Sequence, residues 1–194
     1  MIFRRGRTAP LESAQQALAQ GEYDLALSML ETAARKAARQ GQGQAWLQLA
    51  ALYALYGEDG IENGMPALRS AVSADASLAT HPLYRALFWE FAAYRGGSVG
   101  DVKRGLKDVD ESNPVAAYHA ASALFAVDAP KSAGRRLTEV REAQLPVYLR
   151  WRRWSLLGQC RESMGEWEAA AEAFTFAVES APPAEREPER LSLA

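Results

Sequence analysis

Residues 151–184 most constrain the fold, because their apolar and glycine residues follow the spacing of two α-helices folded back on each other. Gly165 can adopt the left-handed conformation that ends a first helix, and Pro182 would end the second. Glu166 and Glu168 stand where the N-terminal dipole of the second helix favours negative charge. This stretch therefore predicts a helical hairpin.

Side-chain size within the predicted hairpin indicates how its helices pack. Gly158 and Ala170 are small where the two helices must approach closely, and large apolar residues surround them, namely Trp154, Leu157, Trp167 and Phe174. A larger side chain at Gly158 is expected to overpack the contact and to cost about 1 to 3 kcal/mol.

Several residues of this hairpin resemble the 34-residue tetratricopeptide repeat, namely Trp154, Leu157, Gly158, Ala170, Phe174 and Pro182. One position departs from the pattern, because Arg161 stands where that family usually has a tyrosine. The resemblance implies an all-α fold, a right-handed superhelical solenoid of helical hairpins. In such arrays the first helices of the hairpins line a concave groove that holds a peptide or a helix of a partner protein.

Earlier segments repeat the pattern with decreasing fidelity, which is expected because a single hairpin cannot bury its apolar face alone. The best match, residues 7–40, reproduces the offsets of the second half, with Gly21, Tyr23, Ala26, Leu30 and Ala33. A second unit begins near Trp46, a third near Leu83 and a weak fourth near Val115. In the third, Ala86 stands where a large aromatic is expected and Glu90 where a small residue is expected, so we expect this hairpin to be distorted. We therefore expect about ten helices in five hairpins.

The domain boundaries follow from these repeats. Residues 9–180 are predicted to form the helical repeat domain, after a flexible N-terminal segment 1–8. The tail 181–194 contains three prolines, which disfavour a long helix. We expect this tail to be partly disordered or to cap the last hairpin.

Composition and charge narrow the classes of partner and location. The 194 residues are 48% hydrophobic and 24% charged, with a formal net charge of -2, so there is no electrostatic reason to expect a nucleic acid or a membrane surface as main partner. No secretory signal or membrane span is recognised, so we expect a cytoplasmic location. The single cysteine, Cys160, is predicted to be a small buried apolar residue.

Residues that would carry catalysis are hard to find, and we expect neither enzymatic activity nor a bound metal or cofactor. His81 and His119 lie in different predicted hairpins, without neighbours at metal-ligand spacing. Gly96, Gly97 and Gly100 resemble a phosphate-binding loop, but no Lys-Ser or Lys-Thr pair follows them. We interpret these glycines as a turn between helices.

The expected function is therefore to bind another protein or a peptide, as an adaptor or assembly scaffold. Transferring the register of the resemblance predicts groove residues at Gln44, Tyr84, Phe91, Tyr94, Arg95, Tyr118, Ser122, Phe125, Arg152 and Gln159. The same register adds Leu47, Ala51, Leu87, Ser155 and Glu162. The central aromatics either line the groove or fill the core, and the sequence leaves both interpretations open. The lysines Lys36, Lys103, Lys107 and Lys131 fall on second helices, which disfavours the lysine-based grip on acidic C-terminal tails known from some tetratricopeptide domains.

Two other function classes remain open. Exposed aromatics could instead make the chain a homo-oligomer, its groove filled by a second copy or by Leu191 and Leu193 of the tail. Nucleic-acid binding is less expected; it would use the arginines between Arg150 and Arg153, which flank Trp151. The structural alternative for these arginines is a solvated basic face.

Overall fold

The structure is a computed structural model that describes residues 9–38, 43–110 and 112–185 of the chain. Over these residues the chain is all helical, with ten α-helices, four 3-10 helices and no β-strand. The predicted all-α class is therefore confirmed. The predicted flexible segment 1–8, and residues 186–194 of the predicted tail, lie outside the described residues.

The α-helices in chain order are α1 (Ala9–Gln20), α2 (Tyr23–Ala38), α3 (Gln44–Ala54), α4 (Ile61–Ala74), α5 (Pro82–Tyr94), α6 (Val99–Gly105), α7 (Pro114–Ala126), α8 (Pro130–Glu139), α9 (Val147–Ser163) and α10 (Trp167–Ser180). The 3-10 helices are Gly57–Gly60, Ala76–Thr80, Glu142–Gln144 and Pro183–Glu185. None of the helices in the described part of the chain has the length and apolar character needed to cross a membrane.

Capping side chains and glycines set several helix ends. Asn113 begins α7, because its Oδ1 accepts a hydrogen bond from the Ala116 amide at 3.0 Å and Pro114 takes the first helical position. Gly21 and Gly165 follow α1 and α9 with positive φ angles of 81° and 75°. A residue without a side chain adopts this conformation at little cost, so the predicted turn at Gly165 is confirmed.

Consecutive helices pack against each other in pairs, α1 with α2, α3 with α4, α5 with α6, α7 with α8, and α9 with α10. Contacts of α2 with α3, α4 with α5, α5 with α7, and α8 with α9 join these pairs. The chain thus buries the apolar side of each helix against neighbours on both sides along the sequence.

The third pair is irregular, but the irregularity lies in α6. Helix α5 is regular over 13 residues, whereas α6 has only seven. The expected irregularity of this hairpin is therefore present, but α5 itself is regular, and its Glu90 carboxylate has a buried partner in α7. Gly105 lets α6 approach α5 closely, since a Cβ there would come within 1.7 Å of the Trp89 ring. Because α6 is short, α5 packs directly against α7.

A buried polar pair joins α5 to α7. The Nδ1 atom of His119 lies 2.7 Å from Oε2 of Glu90, and each residue is only 1% exposed. The His119 ring also packs edge-on against Tyr118, with ring centroids 5.2 Å apart. Neither polar group has water as an alternative partner, so each depends on the other.

The last hairpin shows why the spacing of small residues matters. A Cβ on Gly158 would lie 2.6 Å from the Phe174 ring, so only glycine permits this approach of α9 to α10. The predicted packing role of Trp167 is wrong, because this side chain is 66% exposed. Phe176 instead stacks on Trp154, with ring centroids 4.9 Å apart.

Helix α9 also contacts α1, at the other end of the chain. Tyr148 of α9 is buried and, with Leu11, Leu18 and Leu52, lines a small cavity of about 160 Å³. Burial raises the pKa of the Tyr148 phenol to about 12. The first and last hairpins therefore touch.

Breaking the buried pair tests its role in the fold. We expect His119→Ala to lower the free energy of unfolding by about 3 to 5 kcal/mol, because it leaves the Glu90 carboxylate buried without a donor. The double variant Glu90→Leu/His119→Leu should be clearly more stable than the single variant, because no polar group is then stranded. Urea unfolding followed by circular dichroism measures both. A single variant as stable as the original chain would contradict the dependence of one group on the other.

Candidate functional site

A pocket of about 490 Å³ lies among α3, α5, α7 and α9, the first helices of four consecutive pairs. We call it the first-helix pocket. Several predicted groove residues line it, namely Tyr94, Tyr118, Ser122, Phe125, Arg152 and Gln159. Ser155, also expected in the groove, lines it as well. The structure thus brings together residues from the third, fourth and fifth hairpins.

Two tyrosines form much of one wall. The Tyr94 hydroxyl lies 3.3 Å from Oγ of Ser122, which links α5 to α7 at the pocket. Burial, with a smaller contribution from Glu90, raises the pKa of the Tyr94 phenol to about 12. Tyr118 is buried more deeply, and burial raises its pKa as well. Both phenols therefore present neutral hydroxyl groups at physiological pH.

Arg152 is the cationic side chain of the pocket. Its guanidinium carbon lies 4.5 Å from the ring centroid of Trp151 and 5.1 Å from that of Tyr23. These distances are typical of cation–π contacts, which hold the guanidinium plane without neutralising its charge. Within the described residues, Arg152 makes no ion pair, and its buried Nε has no hydrogen-bond partner.

Trp151 provides a second unsatisfied donor beside Arg152. Its side chain is buried, and its Nε1 atom has no hydrogen-bond acceptor among the described residues. No aspartate or glutamate is found among the described residues that line the pocket. The site thus combines aromatic surface and N–H donors with a positive charge that has no counter-ion among the described residues.

Phe91, by contrast, is a core residue, so its predicted place in the groove is wrong. It is 0% exposed, and its ring covers Gly64 of α4, where a Cβ would lie 2.3 Å from the ring. Leu47, Ala51 and Leu87 are buried in the core as well. The core interpretation left open for the central aromatics is therefore correct for Phe91, and the predicted groove positions of Leu47, Ala51 and Leu87 are wrong.

The other predicted groove residues lie away from the first-helix pocket. Tyr84 is half-buried against the core, and Arg95 is exposed at the end of α5. Gln44 lines the separate cavity next to Tyr148, and Glu162 is exposed on α9. These four residues do not line the first-helix pocket, and their predicted place in a common groove with Tyr94 stays a prediction.

The predicted basic face from Arg150 to Arg153 does not exist as one surface. Arg153 is buried, its Nε donates to the Leu137 carbonyl of α8 at 2.8 Å, and burial lowers its pKa. Arg150 donates from Nε to the Leu145 carbonyl at 3.1 Å. Consecutive helical positions differ by about 100°, so these side chains diverge. Both the solvated face and the platform for nucleic acids are therefore wrong.

Sequence reasoning missed Trp151 and the end of α3 as parts of the pocket. Ala54, Leu55 and Gly57 line it because the chain leaves α3 beside Tyr94, with Gly57 at a φ of 60°. The glycine after α3 was a possible signal for this turn. The placement of the end of α3 and of α9 at the same pocket has no local signal, since more than 90 residues separate Gly57 from Trp151.

Both histidines and the cysteine have structural positions. His81 caps α5, because its Nδ1 accepts a hydrogen bond from the Leu83 amide at 3.2 Å. His119 binds Glu90, as described above. Cys160 is fully buried, and burial raises its pKa to about 12, which confirms the prediction of a buried apolar residue. In the described ranges, no group of three or more His, Cys, Asp or Glu residues is placed to hold a metal ion.

Comparison with models of known protein families, with curated proteins and with solved structures gives no significant match. The resemblance to tetratricopeptide repeats therefore depends on the residues of this sequence and stays a prediction. The functional argument has to come from the site itself.

The buried phenols predict a loss of stability in alkali. Tyr94 and Tyr148 keep their protons up to about pH 12 in the folded chain, whereas an unfolded tyrosine loses its proton near pH 10. Between these values the unfolded chain binds fewer protons, so the free energy of unfolding falls as pH rises. Below pH 10 these tyrosines are protonated in both states, so they do not make the free energy of unfolding depend on pH.

Urea unfolding at several pH values, with tyrosinate absorbance as a second readout, measures this effect. In Tyr94→Phe the slope above pH 10 should be shallower by up to about 1.4 kcal/mol per pH unit, one proton's share. An unchanged slope, or full ionisation of the tyrosines near pH 10 in the folded chain, would show that the Tyr94 phenol is accessible to water.

Proposed function

We propose that this chain is a tetratricopeptide-like adaptor or assembly scaffold, wound as a superhelical solenoid, that binds a segment of another protein in the first-helix pocket. The observation that carries the proposal is the Arg152 guanidinium, which has no counter-ion within the described residues and lies in a pocket with an aromatic wall. Its predicted location remains the cytoplasm.

The size and lining of the pocket support a protein ligand. About 490 Å³ is enough for a few side chains of a partner but not for a folded domain. Tyr94, Tyr118 and Phe125 provide apolar surface, and Ser122 and Gln159 provide hydrogen-bonding groups beside it. Aromatic anchors with a few polar groups around them are typical of the central part of protein interfaces.

The charge of Arg152 identifies the class of side chain that the segment carries. The ring contacts occupy the faces of the guanidinium and leave N–H groups at its edge for an acceptor. A carboxylate neutralises the charge and accepts charge-assisted hydrogen bonds, which are stronger than neutral ones. The bound segment is therefore expected to place an aspartate or glutamate at Arg152 and an apolar residue against Phe125.

A peptide array that varies charge and apolar character tests this function. Selected peptides should contain an acidic residue, and Arg152→Gln should weaken their binding by about tenfold or more, because a hydrogen bond to a charged group is lost. Arg69→Gln removes an exposed arginine of α4 and is the matched control. Fluorescence anisotropy gives the affinities. Selection of peptides without acidic residues, or equal affinities for both variants, would contradict a carboxylate ligand at Arg152.

Self-association is a second candidate function, supported by α10. Trp167 and Phe176 on this last helix are 66% and 42% exposed, and exposed apolar surface of this kind often marks a contact with another chain. The two residues are nine positions apart and point to opposite sides of α10, so each offers a separate contact, and neither lines the first-helix pocket.

Sedimentation velocity over a range of concentrations distinguishes the two candidates. If α10 mediates self-association, the sedimentation coefficient rises with concentration, and Trp167→Ser/Phe176→Ser removes that rise. Arg152→Gln serves as the control and should leave it unchanged. A chain that stays monomeric at all concentrations would exclude this candidate and leave the adaptor proposal intact.

A further inference from the structure

A second pocket, of about 490 Å³, lies between α6 and α8 and has a strongly basic lining. Its cations are Lys103, Arg104, Lys107, Arg135 and Arg136. No aspartate or glutamate is among the described residues that line it. We call it the basic pocket. Its two lysines are among those that the sequence places on second helices, outside the predicted groove.

The basic pocket faces away from the first-helix pocket. Leu124 of α7 lines the basic pocket, whereas Ser122 and Ala126 of the same helix line the first-helix pocket. Residues two positions apart on an α-helix point about 200° apart, so the pockets lie on opposite sides of α7. The cations of the basic pocket therefore have no part in the function proposed for Arg152.

Two of the five cations have partners within the chain. Arg104 forms an ion pair with Asp101, one helical turn earlier. Arg136 donates from Nη2 to the Leu106 carbonyl at 3.0 Å, which fixes α8 to the end of α6. Arg136 thus joins the two segments that carry the remaining cations, whereas the ion pair of Arg104 lies within α6.

The other three cations, Lys103, Lys107 and Arg135, make no ion pair and no side-chain hydrogen bond within the described residues. Each is exposed at the pocket. Like charges held close together repel each other, and an anion that binds between them removes this cost. The lining offers mainly donors, so a ligand has to be rich in acceptor oxygens.

We propose that the basic pocket binds a compact anion that carries two or more phosphate groups. A single phosphate group carries about 1.5 to 2 negative charges near neutral pH, so two such groups match the three unpaired cations within a small volume. An acidic peptide carries one charge per acidic residue along an extended backbone, which disperses the charge over a longer distance. Phosphate chemistry therefore fits the density of cations better.

The lining also argues against a nucleic acid as the ligand. No aromatic side chain lines the basic pocket in the described structure, so it has no surface on which a base can stack. The pocket is a depression of single-ligand size, whereas contact with a long phosphate backbone needs a stripe of cations. The formal net charge of -2 provides no general attraction for a polyanion, so binding depends on this local cluster.

Isothermal titration calorimetry with inorganic tripolyphosphate at low ionic strength tests the proposal. We expect saturable binding to one site, and about tenfold or greater weakening in Lys103→Gln/Lys107→Gln, because two charge-assisted contacts are lost. The matched control is Lys36→Gln/Arg69→Gln, which removes two exposed cations on α2 and α4 and should change the affinity less than about twofold. Circular dichroism checks that both variants keep the melting temperature of the original chain.

Three further measurements distinguish the sources of the anion and the alternatives. Cosedimentation with vesicles that contain a phosphatidylinositol bisphosphate supports a lipid headgroup as the source, and binding of tripolyphosphate without cosedimentation supports a free anion. Absence of saturable binding, or equal weakening in the control variant, would overturn the proposal. Tighter binding of a polyglutamate peptide than of tripolyphosphate would also overturn it. Arg152→Gln should not change the binding of tripolyphosphate, so this result is independent of the proposed function.

Discussion

The arrangement of the helices depends above all on the packing of α9. This 17-residue helix contacts four others, α1, α7, α8 and α10. Each contact uses a different side of the helix. Gly158 lets α10 approach, Arg153 reaches the backbone of α8, and Tyr148 contacts the first hairpin. Arg152 then points into the first-helix pocket. The position of the candidate binding residue is thus a consequence of the three contacts that hold the helix.

Polar groups in this protein fall into two classes, those that have a hydrogen-bond or ionic partner within the chain and those without one among the described residues. Glu90 and His119 satisfy each other inside the core, and Arg153 is satisfied by the Leu137 carbonyl. These groups join neighbouring helices and have no capacity left for a ligand. Arg152 and the exposed cations of the basic pocket lack anionic partners in the described chain, although they cluster in concave surfaces. An unpaired charge in a pocket indicates binding more strongly than charge or concavity alone.

The two pockets lie on opposite sides of one helix and differ in chemical character. Helix α7 separates them, with an aromatic and polar pocket on one side and a basic pocket on the other. Since the helix is packed rigidly between α5, α8 and α9, a ligand on either side adds to a surface that is already formed. A scaffold that holds a protein segment on one face and a small polyanion on the other is consistent with both proposals.

The sequence by itself determined the local features of the fold. The turn at Gly165, the close contact at Gly158, the burial of Cys160 and the all-helical class were predictable, because each depends on backbone freedom or on the period of one helix. The resemblance to tetratricopeptide repeats, whose register was transferred to this chain, led to the prediction that Tyr94, Tyr118, Ser122, Phe125, Arg152 and Gln159 share one groove, and these six residues line the first-helix pocket.

Only the tertiary structure decided which of these faces are covered. Phe91 and Tyr94 are three residues apart on α5. Phe91 is buried because its ring packs against Gly64 of α4, whereas Tyr94 lines the first-helix pocket. The burial of Arg153 against α8, the short α6 and the contact of α1 with α9 likewise depend on packing between helices that no single helical period contains. Helical period sets the direction of a side chain, but its burial depends on distant neighbours that no local pattern contains.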